Sequence, residues 1–324
     1  MLRSLIFKIS WIGRESRPEA AGLSSILASK LPCATIGDIL NVNKFVNQLR
    51  STADRPLTIW RFHPDSMCFV VCSDAGGINV KGDTEILDFE GLPTDATQGA
   101  WIVLTTSKLP EGTEKVKASP MTWRSSKLKR KVFSTFGGET QAMLQGINEV
   151  DWLQIMYRDA VQHDVSIRSW RNSLSPHMVV MRGECRMGGR QQQCSVTDAK
   201  SLYDCLLKEN PSGKQDRKSS LELAIILRDL QETRSMIRWV PHQKMPIDAL
   251  TKEDPSKAND ALNHLLKTGW LSLVDVEDEL KARKSDASFR RRSQHASRQR
   301  LTDEYVEQMN SFLQSLWSKI GRAH

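Results

Sequence analysis

No apolar run in this 324-residue chain is long enough to span a bilayer. The start, MLRSLIFKISWIG, is too short and too interrupted by Lys8 for a secretory leader. The chain therefore reads as soluble, with no membrane partner. Its six cysteines include neither a CxxC pair nor the ligand spacing of a zinc site. The nearest two, Cys68 and Cys72, lie in an apolar run that reads as a strand, so buried, reduced thiols of an intracellular protein are expected. Net charge is also scarce outside one segment. Lys281 to Arg300 holds eight Lys or Arg against one Asp, +7 of the total +8. Such a polar, Ser-rich run reads as a solvated, disordered linker, with a phosphate-binding tail as the functional alternative.

At 39% hydrophobic residues the chain can hold one sizeable α/β domain with appendages, or two small domains. Residues 1–58 read as helical, because GLSSILASK and IGDILNVNKFVNQLR repeat apolar residues three and four apart. They are not expected to form a core alone. A mixed α/β domain follows over 59–253. SMCFVVCSDAGG suits a central strand that ends at Asp74 and opens into a turn, and TQGAWIVLTTS and SPMTWRSSKLKRKVF are further β-rich runs.

A helix is expected from near Phe136, where Met143, Ile147, Val150 and Leu153 recur at helical spacing. QQQCSVTDAKSLYDCLL reads as a strand ending at Asp198 and running into a helix, Lys218 to Glu232 as another helix, SMIRWVP as the last strand, and Pro246 as the opening of the final helix. Residues 162–193 carry Pro176, Gly183, Gly188 and Gly189 and read as a loop or insertion. Residues 254–280 should form a helix, a turn and a short extended piece. The basic linker follows over 281–300. Over 301–324, Tyr305, Val306, Met309, Phe312, Leu313, Leu316 and Ile320 make one helical apolar stripe. The resulting order is three strands, helix, strand, helix, strand, helix.

Four acids stand where an element ends or begins. Asp74 closes the first strand, Glu139 lies on the first turn of the long helix, Asp198 closes the fourth strand and Asp248 starts the last helix. A single acid in such a place serves as a cap or turn former. If the first and fourth strands are neighbours, however, these four converge, and carboxylates so close repel one another strongly in a partly dry site. Divalent cations compensate best, and oxygen-only ligands select Mg²⁺ or Mn²⁺ over zinc. Two such ions about 3.5 to 4 Å apart are suited to in-line attack of water on a phosphodiester.

SDAGG, STFGGETQAM, VTDAKSLYD and RWVPHQKMPIDALTK, in this order and with TQGAWIVL and TWRSSKLKR between, resemble the RNase H domain of copia-type retrotransposon polyproteins, over about Ile59 to Lys252. LRSLIFKISWIGRESRPEAAGLSSILASK resembles the segment that joins reverse transcriptase to RNase H in these elements. The Tyr-x-Asp-Asp of the polymerase is absent from the chain, which reads as the end of a polyprotein beginning at an internal methionine.

The resemblance implies a five-stranded mixed sheet flanked by helices. It also implies hydrolysis of the RNA strand of an RNA–DNA hybrid with two Mg²⁺ or Mn²⁺ ions, inside the cell in a cytoplasmic particle or the nucleus. Asp74, Glu139, Asp198 and Asp248 stand at the family's four acids. Gly137 and Gly138 replace an acid often found before the glutamate, and two glycines weaken a helix start. His242 lies in the loop where cellular RNases H use a histidine for product release, and a plain surface histidine is the alternative.

Lys127, Lys129, Arg130 and Lys131 lie beside a strand near the site and could hold hybrid phosphates or simply guard a sheet edge. Trp123, Trp152 and Trp239 sit among apolar neighbours and read as core. The competing reading is a remnant that keeps the fold as a nucleic-acid- or protein-binding module without catalysis. An integrase-like nuclease on the same fold is a third.

Overall fold

The computed structural model describes residues 2–80, 96–110, 114–130, 132, 135–162, 168, 170–183, 202, 205–206, 217–241, 244–252 and 260–273. Met1–Val274 make one compact unit. The basic linker and the C-terminal apolar stripe lie outside the described residues.

The strands are β1 (Cys68–Val80), β2 (Ala96–Thr106), β3 (Lys115–Lys127), β4 (His177–Gly183), β5 (Met236–Pro241) and β6 (Trp270–Ser272), in the sheet order β5-β4-β1-β2-β3-β6. β1, β2 and β3 form an antiparallel meander, while β4 and β5 add to β1 in parallel. The sheet is mixed, as expected, but it has six strands where five are implied. The sixth arises because Gly269, at φ +67, ends a helix in the left-handed region and returns the chain along the start of β3.

A second difference concerns the segment read as a loop. His177–Gly183 is β4, paired Phe69↔His177 through Ser73↔Met181 beside the central strand. The strand expected to end at Asp198 lies outside the described residues.

The apolar run Phe69–Cys72 is continuous because both of its faces are covered. Val70 and Cys72 point into one core with Ile102, Trp123, Ile247 and Leu250. Phe69 and Val71 point into another with Met143, Ile147, Ile226 and Leu230. Helices α4 (Thr135–Gln162) and α5 (Arg217–Thr233) cover the second face, and the short helix α6 (Asp260–Thr268) lies over the first. Gly146 lets α4 settle closely on the sheet, since a Cβ there would sit 2.8 Å from Val71 Cγ2.

Three N-terminal helices, α1 (Leu2–Glu15), α2 (Pro18–Lys30) and α3 (Ile36–Ser51), precede the sheet. Thr35 and Asp38 form a reciprocal capping box at the start of α3. Contrary to expectation these helices carry a small core of their own, including Ile6, Ile9, Leu27, Val42 and Phe45. They also dock on the sheet, where the Trp123 indole N–H donates to the Gly13 carbonyl at 2.5 Å.

Trp123 and Trp239 are buried as expected, but Trp152 is 56% exposed on α4. Cys72 is buried and Cys68 and Cys205 partly so, whereas Cys33 is exposed. Among the described residues no helix is long and apolar enough to cross a membrane.

Where α4 meets α5 the interface is polar. Asp151 on α4 and Asp229 on α5 are 6% and 7% exposed. Arg171 Nη1, from the short turn Trp170–Ser173, lies 3.3 Å from Asp229 Oδ1 and 2.8 Å from Glu232 Oε2. Burial, reinforced by the Asp229 charge and opposed by Arg171, pushes the Asp151 carboxyl up to about 7.

Candidate functional site

β1 does not end at Asp74, as expected, but runs on to Val80 opposite β2. What stops there is the pairing with β4, whose last partner on β1 is Ser73. Asp74 is thus the first residue of the central strand beyond its parallel neighbour, and it is fully buried.

Glu139 is the fifth residue of α4 rather than part of its first turn, which holds no acid. The glycine pair before it has a packing reason. A Cβ on Gly138 would stand 3.3 Å from both the Ala75 Cβ and the Thr97 Cγ2, so the glycine allows the helix to press against β1 and β2 beside Asp74. Glu139, 2% exposed, then accepts the Ala75 backbone N–H on Oε2 at 3.1 Å.

Pro246 opens no helix. It lies in a buried turn, and Asp248 begins a single 3₁₀ turn, Asp248–Thr251. Asp248 is 1% exposed, and its Oδ1 faces Lys252 Nζ at 3.6 Å. Thr251, a residue the sequence reading passed over, joins this turn to the central strand. Its hydroxyl donates to Asp74 Oδ2 at 2.6 Å and lies 3.0 Å from the Asp248 carbonyl. The available signal was its spacing, three residues after an acid in PIDALTK, which places the two within one turn.

The turn is held from behind. The Gln98 amide, 1% exposed on β2, donates to Ser25 Oγ of α2 at 2.9 Å and to Ser125 Oγ of β3 at 2.8 Å, and Ser125 donates to the Leu250 carbonyl at 2.5 Å. Gly22 of α2 lies against Leu250 so closely that a Cβ would be 2.6 Å from the Leu250 Cα. The N-terminal helix therefore forms one wall of the turn that carries Asp248.

The structure thus brings Asp74, Glu139 and Asp248 to one region through Ala75 and Thr251. Asp198, Lys131 and His242 lie outside the described residues. Lys127 closes β3 and is exposed, and Lys129 follows the strand and is exposed. Arg130 is already engaged, with Nη2 2.8 Å from Glu222 Oε2. An all-carboxylate donor set suits a hard divalent cation. Among the described residues, though, no group of three or more His, Cys, Asp or Glu side chains converges where a metal ion could be held. No family model matches this chain, and no curated protein matches it.

Proposed function

We propose that this chain is an RNase H-type nuclease of a copia-type retrotransposon polyprotein, acting on the RNA strand of RNA–DNA hybrids. The observation that carries this reading is the delivery of three buried acids by three separate elements. Asp74 comes from the central strand, Glu139 from the helix after the third strand, and Asp248 from the turn after the last. Each is nine-tenths buried or more, which is a costly place for a carboxylate that serves only as a cap. The adjacency of β1 and β4, with α4 laid across the sheet, supports the same reading.

In this proposal Asp74, Glu139, Asp248 and Asp198 would hold Mg²⁺ or Mn²⁺, and the cations supply the Lewis acidity that activates water and stabilises the leaving oxygen. The chain's own residues fix the carboxylates. Thr251 orients the Asp74 carboxylate by its hydroxyl, the Ala75 N–H orients that of Glu139, and the Gln98–Ser125–Leu250 chain sets the position of the turn. Lys127 and Lys129 are left exposed to meet phosphate.

A binding module without catalysis is the second reading. It is favoured by the lack of a converging three-ligand group among the described residues and by the Asp248–Lys252 pair. The test is cleavage of an end-labelled RNA strand in a hybrid with Mg²⁺, with Mn²⁺ and with chelator, beside Asp74→Asn and Asp198→Asn. Metal-dependent cutting of hybrid but not of single-stranded RNA, lost in both variants, is the expected result. No cutting by folded protein would select the binding module.

A further inference from the structure

β6, α6 and the Lys244–Pro246 segment border a cavity of about 400 Å³. Among the described residues its lining takes positive charge from Lys115 and Lys244, with the His264 imidazole, Trp270 and Ser272 beside them, and includes no carboxylate.

This composition follows from the strand pairing. Lys115↔Ser272, Val116↔Leu271 and Lys117↔Trp270 are antiparallel partners. The two-residue period sends Val116 and Leu271 into the core, both 2% exposed, and leaves the lysines, the indole and the serine outside. Lys117 Nζ lies 4.4 Å from the Trp60 ring centroid and 5.9 Å from that of Trp270, so a cation bridges the two indoles. Trp60 is fixed in turn by donating its indole N–H to the Gly269 carbonyl at 3.0 Å.

None of Lys115, Lys117 or Lys244 has an ion-pair partner among the described residues. Positive charge gathered around a concavity concentrates the potential there. A semi-exposed aromatic ring beside lysines is suited to a base and its flanking phosphates, and the volume falls in the range of pockets that take one small ligand unit.

We propose that this cavity is a nucleic-acid contact separate from the acid site, holding a nucleotide of a single strand with phosphates on Lys115 and Lys244 and the base against Trp270. Asp74 pairs with Ala100 and Ala100 with Ser125, ten residues along β3 from Lys115, so Lys115 borders the cavity on the side away from Asp74. Lys244 and Pro246, also in its lining, lead directly into the turn that carries Asp248. The contact therefore adjoins the acid region, none of its described lining residues is one of the acids, and it stands whether or not the chain cuts.

The test uses the full chain and a fluorescein-labelled 12-mer of deoxythymidylate, read by anisotropy at rising KCl, with thymidine monophosphate as a competitor. Lys115→Gln/Lys244→Gln should weaken binding at least about tenfold and lower the slope of log affinity against log salt by about 1.4, for two phosphates on a single strand. Trp270→Leu should weaken it about tenfold with the slope unchanged, as loss of a stacked base does. Lys8→Gln/Lys44→Gln, with the same charge change on exposed helix positions, should stay within about twofold.

Equal effects of the two lysine pairs, or no effect of Trp270→Leu, would reduce the cavity to a share of general charge and overturn the proposal. Competition by the free monophosphate as effective as by unlabelled 12-mer would overturn a strand site in favour of an isolated phosphate pocket. Asp74→Asn separates this contact from the proposed nuclease: it should abolish hybrid cutting and leave 12-mer affinity unchanged. If the wild type cuts nothing but the lysine and tryptophan pattern holds, only the nuclease reading fails.

Discussion

Asp151→Asn should make the protein more stable, and increasingly so as the pH rises. Asp151 is 6% exposed at the α4–α5 interface. The groups that face it are Asp229 from α5 and Arg171 from the Trp170–Ser173 turn, with Arg228 and Glu232 flanking Asp229. Its carboxyl is held at about 7 against an ordinary value of 3.8.

A folded-state value above the unfolded one means that the folded protein binds the proton more tightly. Stability from this group is therefore fully present below about pH 4 and is lost as the pH rises to about 7. A shift of that size corresponds to about 4 kcal/mol in full, at about 1.36 kcal/mol per pH unit. Between pH 5 and pH 8 the expected share is at most about 2.7 kcal/mol, and partial hydration of the carboxyl brings it to roughly 1 to 2.5 kcal/mol.

Asparagine has no charge to bury and keeps the shape. Urea unfolding of wild type and variant at pH 5, 6, 7 and 8 should show the variant's advantage widening by that amount and levelling above pH 7. Comparing the difference at each pH cancels every other titrating group. A difference that stays constant within about 0.5 kcal/mol from pH 5 to pH 8 would refute the claim that Asp151 is a strained, buried acid.

Gly22→Ala should destabilise the protein by about 1 to 3 kcal/mol despite the better helix propensity of alanine, because its methyl meets the Leu250 backbone. Thermal melting beside Gly37→Ala, where only the Thr35 hydroxyl is near, supplies the control. Gln98→Leu removes both of its buried donors and should cost about 1 to 3 kcal/mol in denaturant unfolding, with equal loss in a Ser25→Ala background if the chain of hydroxyls does not matter. Thr251→Val takes the hydroxyl from the Asp74 carboxylate and should cost about 1.5 to 3 kcal/mol, whereas Thr251→Ser should restore most of it; equal losses in the two would count against the hydrogen bond.

Elements whose burial is written in local periodicity were legible in the sequence. The apolar runs of β1, β2 and β5 and the helical spacing of α2, α3, α4 and α5 all emerged near their observed places. β4 did not, because HMVVMRG is short, follows Pro176 and lies in a segment punctuated by glycine, so nothing local separates a buried central strand from a loop. β6 is three residues long and exists only because β3 offers an edge.

At the site, the acids could be picked out as residues at element boundaries, yet two boundaries moved: β1 continues past Asp74, and Asp248 opens one 3₁₀ turn. Thr251, Gln98 and Asp151 have roles set by partners far away in the chain, which single-residue chemistry does not disclose. Gly138 is the instructive case. On propensity it weakens a helix start, and in the packed molecule its missing side chain is what brings that helix to β1.

The contact of Gly22 with Leu250 also sets an order on synthesis. The first three helices have their own small core and can collapse soon after they leave the ribosome. The wall they provide closes against β2 and β3, through Gln98 and Trp123, before it can close against the Asp248–Thr251 turn, which emerges much later. Until then the part of α2 around Gly22, which meets Leu250, must wait uncovered. The inner face of α2 is therefore closed in two stages, and the turn that carries Asp248 takes its place among the last events of folding.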